Sequence, residues 1–379
     1  MARKLFPYAF LVLFLMGAIE LMSFGFFQVF QDRFSFLDTG LYRLSQADLP
    51  LVERHFDVRL GWSEHYPTPW GERPRPESTH AGSALMSTYG DSYTHCDEVD
   101  DDQTWQSFLA DETGSEVYNY GVGGFGTDQA YLRFRDEFAT HQTPVVALGL
   151  ITENINRVVN VYRPYYYPGT QLRFTKPRFI EHEGDLVLLE NPIQDKGDLS
   201  KLMDDDFLRA VGRHDWWFNR DEYPVLGFPY SAILLNQRIW KEAVSGKLER
   251  PVTDMNPRPW EELWEQEEPR SLMFAIFDRF FADARELGSH PLLLILPQRE
   301  DVEERRRTGR LPNAVQRILD HCEARSLDCI EMVSGFTQYL EAEEARSLND
   351  LFLLAHVSPE GNRLIARRIA DWLREHGRL

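Results

Sequence analysis

Met86-Ser87-Thr88-Tyr89-Gly90-Asp91-Ser92-Tyr93-Thr94 passes from strand to turn to helix start within nine residues. A short run with strand character, residues 84–89, stops at Gly90. Asp91 and Ser92 come next, and then a polar run able to open a helix. A serine at such a turn stands at the carboxyl edge of a sheet, where α/β folds bind ligands. Its hydroxyl also lies near the first amides of the next helix, which favour developing negative charge. Gly-Asp-Ser alone is ordinary turn chemistry, so the weight falls on the residues downstream of it.

Beyond the turn, strand and helix alternate. The acidic run 97–102 suits a helix start, and the pattern continues as a helix with Trp105, Phe108 and Leu109 on one face and Gly114 as its C-cap. Residues 117–120 read as a second strand leading into Asn119-Tyr120-Gly121-Val122-Gly123-Gly124-Phe125-Gly126-Thr127. Four glycines in six residues mean a sharp turn or a close approach by a ligand. Gly121, Gly123 and Gly126 make a loose G-x-G-x-x-G. A dinucleotide site is rejected, because no acidic residue ends a second strand about 20 positions on. A helix over 127–138 and an apolar third strand over 143–150 lead to Thr152-Glu153-Asn154.

From about 155 to 269 this rhythm stops. The stretch is rich in aromatic residues and proline, with a hairpin expected over 178–180 and 186–189 around Glu183-Gly184-Asp185. It reads as a large insertion over the sheet's carboxyl edge. Its rings, Tyr165, Tyr166 and Tyr167 among them, either stack on sugars or pack the insertion's own small core. The rhythm returns with a helix over 272–287 that turns Phe274, Phe277 and Phe281 inward. Then come a buried strand (291–296), a helix (313–324), a strand (327–332) and a helix near 336–344. The closing helix runs to about 376, with Ser358 as N-cap and Pro359 at its first position.

Ser92, the glycine loop, Asn154 and His356 thus fall at strand ends or just ahead of the last helix. A serine needs a proton acceptor, which His356 supplies. A tetrahedral oxyanion needs donors, and the loop amide at Gly124, the Asn154 amide and the Ser92 amide suit that role. His95 is a rival base only three residues from Ser92, but on one helix turn it is expected to point along the helix into solvent. His95, Asp97 and Asp101 lack metal-site spacing and read as a solvated helix start. No metal or other cofactor is expected.

The chain has 379 residues, 43% of them hydrophobic, and a net charge of −19. It has ample core material, and its acidity argues against a nucleic-acid surface. Arg3 and Lys4 precede an almost wholly apolar run, residues 5–29, broken by Glu20 and Gln28. About 20 apolar residues span a bilayer, and leading basic residues set the N-terminus in the cytoplasm. The run reads as a retained signal anchor, with a cleaved signal peptide and a buried soluble helix as alternatives. The expected layout is a cytoplasmic end (1–4), a single transmembrane anchor (5–29), a lead-in (30–80) and an α/β domain (81–379) in the periplasm. Of three cysteines, Cys322 and Cys329 either pair or remain buried thiols.

The four blocks, taken in order, resemble the SGNH (GDSL-type) hydrolase superfamily over roughly 80–154 and 270–376. Gly90-Asp91-Ser92 resembles the first block and Asn119–Gly124 the second. Thr152-Glu153-Asn154 stands where the third carries Gly-x-Asn-Asp, and keeps only the Asn. His356-Val357-Ser358-Pro359-Glu360-Gly361-Asn362 resembles the last. The resemblance implies a flavodoxin-like three-layer sandwich about a central parallel sheet, with Ser92 as nucleophile, His356 as base, and Gly124 and Asn154 at the oxyanion. The family's Asp before the histidine is missing, since Leu353 and Leu354 hold those positions and Asp350 is the nearest upstream acid. That leaves a Ser-His dyad, a carboxylate from elsewhere, or a site that no longer catalyses. In architecture, anchor plus domain, the chain further resembles the envelope-facing proteins that acylate or deacylate bacterial exopolysaccharides, such as the alginate acetylation proteins. The implied activity is ester hydrolysis or O-acyl (acetyl) transfer on a cell-envelope or exported saccharide, or on a small ester, beside other envelope polysaccharide proteins. The alternative is a non-catalytic glycan-binding or assembly protein on the same scaffold.

Overall fold

Five short runs of mainly apolar residues form one parallel sheet in the computed structural model. It describes residues 2–30, 42–64, 66–75, 84–219, 228–232, 257 and 259–379. Residues 31–41, 65 and 76–80 of the expected lead-in, and 220–227, 233–256 and 258 of the expected insertion, lie outside these. The strands are β1 (Ala84–Gly90), β2 (Glu116–Gly121), β3 (Val145–Leu150), β4 (His290–Ile295) and β5 (Cys329–Glu331), ordered β2-β1-β3-β4-β5. In register, Thr88 lies opposite both Asn119 and Ala147, and Leu148 opposite Leu293. Every residue of β3 is buried, as a parallel sheet covered on both faces requires. This is the flavodoxin-like strand order, and its switch point lies at β1 and β3, where connections leave in opposite directions.

Right-handed crossovers then set the layers. The step from β1 to β2 carries helix Trp105–Thr113 on one face, and the reversed step to β3 carries Thr127–Glu137 on the other. Glu267–Glu286 packs with the latter, and the closing helix Pro359–Glu375 packs on Trp105–Thr113. The α/β three-layer sandwich is therefore present, with Ser358 capping the last helix and Pro359 opening it.

Two local expectations are corrected, and one helix is added. The acidic run 97–102 does not start the helix. Arg73 takes up the carbonyls of His95, Cys96 and Val99, which a helix would need for its own amides. The helix begins only at Trp105, where the Thr104 side chain accepts the Ser107 amide. Phe280, not Phe274, fills the inner face of Glu267–Glu286, while Phe274 stacks on His321 with centroids 4.1 Å apart. A further helix, Arg299–Thr308, gives no sequence signal, because it is charged all round and buries only Asp301 and Val302.

The chain divides into two compact units. One, of residues 55–159, 174–194 and 259–379, holds the sheet. It also takes the hairpin Arg178–His182 with Asp185–Leu189, and beside that hairpin Lys176 makes a buried ion pair with Asp128. Cys322 and Cys329 are joined by a disulfide across Cα atoms 6.4 Å apart, tying the end of helix Asn313–Arg325 to β5.

The other unit comprises residues 1–54, 160–173 and 195–258. Its first helix, Ala2–Phe30, contains Pro7–Phe26, a span of mean hydropathy 2.1 that is long and apolar enough to cross a membrane. Glu20, the one charge in that span, accepts the amides of Tyr230 and Ser231, so its carboxylate is hydrogen-bonded rather than bare. Tyr165 packs against Tyr162 with centroids 5.1 Å apart, and its hydroxyl donates to the Leu208 carbonyl at 2.6 Å. Tyr165 and Tyr166 are each 1% exposed. They are core side chains of this unit and present no face to a sugar.

Candidate active site

β1 ends at Gly90, and Asp91 in extended backbone caps the helix Ser92–His95 by accepting the Tyr93 amide at 2.9 Å. Ser92 is the first helical residue, is 7% exposed, and its hydroxyl has no hydrogen-bond partner among the described residues. The helix lies directly on the strand ends because side chains are missing there. A Cβ built on Gly90 would stand 2.0 Å from Thr94 Oγ1, and one on Gly149 in β3 would stand 2.2 Å from the same atom. Thr94 fills both gaps.

The helix stops at Cys96, which has φ 67°, and Glu98 has φ 73°. Left-handed backbone at a non-glycine residue costs about 1–3 kcal/mol and persists only when the surroundings enforce it. Arg73 supplies that enforcement from the lead-in, donating to His95 O at 2.6 Å, Cys96 O at 2.9 Å and Val99 O at 2.7 Å. Asn119 of the second block adds a bond to His95 O. Burial pushes the Cys96 thiol up to about 12, so it is a packing group rather than a nucleophile.

The loop so shaped meets the histidine segment. Tyr93, next to Ser92, donates its hydroxyl to Ala355 O at 2.9 Å, and its ring lies 5.1 Å from that of His356. Glu98 accepts the amides of Ala355 at 3.2 Å and His356 at 3.3 Å. Its carboxylate also lies 3.3 Å from His356 Nδ1, while Asp97 lies 4.0 Å from Nε2. Partial burial opposes the Glu98 charge, yet the two amides and the imidazole hold its carboxyl below the usual range.

His95 departs from expectation. It is buried, not solvent-facing, at 7% exposed. Nδ1 meets Asp97 at 2.5 Å, and Nε2 meets Glu64 at 3.1 Å and the Tyr66 hydroxyl at 2.6 Å. Burial disfavours its charge, but the two carboxylates outweigh that and raise its pKa. With both ring nitrogens engaged, His95 has none left to take a proton from Ser92. Residues about thirty positions upstream cover it, and a local helix pattern could not reveal them.

The remaining predicted residues are held by partners that the motifs did not announce. Gly124 has φ 79°, and its loop is fixed by Trp62 Nε1 donating to Gly123 O at 3.0 Å. Asn154 opens the helix Asn154–Val158 and is buried. Its Nδ2 lies 3.5 Å from Thr127 Oγ1, and its Oδ1 has no partner among the described residues. Gln298 secures the turn ahead of it, accepting from Thr152 Oγ1 at 3.0 Å and the Glu153 amide at 3.3 Å. Buried Arg157 ties three blocks together. It donates to Phe125 O at 2.9 Å, pairs with Glu153, and lies 3.9 Å from Asp91 Oδ2. Asp350 accepts the Ser347 amide at 2.6 Å in a capping box, and no hydrogen bond or ion pair joins it to His356. Glu98, Arg73, Arg157 and Gln298 do not stand out in the sequence. The one local signal is at Arg157, a cation one helical turn after Glu153.

The fold and turn define an open-sheet α/β protein with a serine at its switch point. No known family profile matches the chain, and no curated protein matches it. Solved structures similar to it include a lipolytic protein of the G-D-S-L family from Desulfitobacterium hafniense. That match has 11% identity over 76% of this chain and 99% of that one, with a TM-score of 0.34. An acetyl xylan esterase matches at 11% identity over 76% and 99%, TM-score 0.37. An acetylxylan esterase from Geobacillus stearothermophilus matches at 13% over 78% and 96%, TM-score 0.36. At these identities and TM-scores the likenesses decide nothing about this chain, and its site is read from its own residues.

Proposed function

We propose that this chain is a membrane-anchored serine esterase or O-acyltransferase of SGNH type, acting on an acylated saccharide of the cell envelope or an exported one. Ser92 Oγ attacks the acyl carbonyl and passes its proton to His356 Nε2. The amides of Ser92 and Gly124 and the side chain of Asn154 receive the oxyanion. Collapse expels the saccharide oxygen, which takes the proton from His356. Water then releases the acyl group from Ser92, or a second hydroxyl accepts it. Arg3 and Lys4 before the apolar helix support an inner-membrane anchor with the body in the periplasm.

The observation that carries this reading is the link between nucleophile and base segments. Tyr93 and Glu98, on either side of one short loop after Ser92, bind the backbone on which His356 sits. Turnover of p-nitrophenyl acetate and labelling of Ser92 by a fluorophosphonate test it. Both are expected in the wild type and absent in Ser92→Ala. A folded Ser92→Ala protein with full turnover sinks the scheme. A wild type that binds glycans with neither turnover nor label is instead a binding protein on this scaffold. A panel of acylated glycans assigns the saccharide. A C-terminal alkaline phosphatase fusion that stays inactive rules out the periplasmic body.

A further inference from the structure

We infer that Glu98 is the carboxylate that positions His356, supplied by the loop after the nucleophile instead of by the histidine's own segment. This rests on the Ser92–His356 reading above. The positions where a histidine segment would carry its acid are Leu353 and Leu354, and Leu354 is 94% exposed. Asp350 is engaged with Ser347. Two described carboxylates pair with the imidazole, on different nitrogens: Glu98 at Nδ1 and Asp97 at Nε2.

The side on which each lies decides their roles. A carboxylate at Nδ1 selects the tautomer with its proton there and leaves the Nε2 lone pair for the serine proton. When Ser92 Oγ bonds to the acyl carbon, its proton moves to Nε2, and Glu98 stays ionised against the resulting cation. When the leaving oxygen departs, the proton returns from Nε2 to that oxygen. Glu98 itself gains and loses nothing.

His356 Nδ1 is buried and makes no aligned hydrogen bond, although Glu98 is 3.3 Å away. Such bonds are often loose without substrate and tighten in the complex. Glu98 also holds a left-handed backbone, which the Arg73 clamp on the Val99 carbonyl helps to sustain. That conformation turns the carboxylate toward residues 355 and 356, some 257 positions away in sequence. Glu98 thereby fixes the backbone of the base and faces its ring.

Glu98→Gln separates these two jobs, because the amide oxygen still accepts the Ala355 and His356 amides while the charge is gone. On p-nitrophenyl acetate, kcat is expected to fall about 100-fold or more with KM within about 2-fold and the melting temperature unchanged. The rate of fluorophosphonate labelling falls in parallel. Glu98→Gln with wild-type kcat overturns the inference. Should that variant melt early, Glu98→Asp and Glu98→Asn decide, since they match in size and differ in charge. Asp exceeding Asn by about 10-fold or more supports a positioning charge, and equal rates refute it. Ser92→Ala is assayed alongside. If Ser92→Ala is inactive and Glu98→Gln is fully active, only the role of Glu98 falls. If Ser92→Ala retains activity, or the wild type has none, the Ser–His reading falls with it.

Discussion

The two histidines beside the serine turn sit in opposite surroundings. His95 is clamped on both nitrogens by Asp97, Glu64 and Tyr66. His356 is held through its backbone, by Glu98 and Tyr93, while its ring makes only loose contacts. A fully committed imidazole stabilises a loop and does nothing else. A ring whose backbone is fixed but whose nitrogens are only approached is free to exchange a proton. Proximity in sequence to Ser92 is therefore a poor guide to a candidate base. Hydrogen-bond capacity is the better one.

The largest effects that test this contrast are on turnover. Ser92→Ala and His356→Ala should each lower kcat by about 1,000-fold or more, and the double variant should be little worse, because the pair acts as a unit. Both should melt close to the wild type. A His356→Ala protein with substantial turnover would break the comparison. Asn154→Ala should cost about 100-fold in kcat if its side chain meets the oxyanion, read against an unchanged KM.

His95→Asn should do the reverse, with its main effect on stability. It leaves two carboxylates without their cation, at a cost of about 2 kcal/mol. That is below the figure for a fully buried pair, because Glu64 and Asp97 keep about a third of their side chains in water. The gap from wild type should depend on pH. The folded pKa of His95 is raised, so its contribution is complete below about pH 6.5 and is lost as pH rises through the folded value. The His95 hydrogen bond, against some burial, lowers Glu64 to about 2. That contribution is present above about pH 4.3 and fades as pH falls toward the folded value. Urea midpoints should differ most between about pH 4.5 and 6.5 and draw together as pH rises through the folded value of His95. A gap independent of pH would show that His95 acts by packing alone. The smallest effect belongs to Asp350→Asn, which loosens a capping box by about 0.5–1 kcal/mol and leaves kcat alone.

The contrast also marks where sequence reading stops. The core strands are legible because β3 and β4 are apolar runs of strand length, and the closing helix because Ser358 and Pro359 mark its start. Cys96 and Glu98 give no such signal, since neither is a residue type that advertises left-handed backbone. The acidic run 97–102 reads as a helix start because the competing donor, Arg73, lies more than twenty residues upstream. The burial of His95 is invisible for the same reason. Ser92, Gly124, Asn154 and His356 come from local motifs, whereas Trp62, Gln298 and Glu98, which hold the segments of the last three, lie far from them in the chain.

Thr94 and the two bare strand ends beneath it carry a lesson for engineering. The serine turn is seated by a peg and two empty sockets: the threonine side chain occupies the space where Cβ atoms at positions 90 and 149 would be. Transplanting Gly-Asp-Ser onto another parallel sheet would therefore carry the serine without its mount. A graft that also brings the threonine, and a glycine on the neighbouring strand, would carry the seat along with the turn.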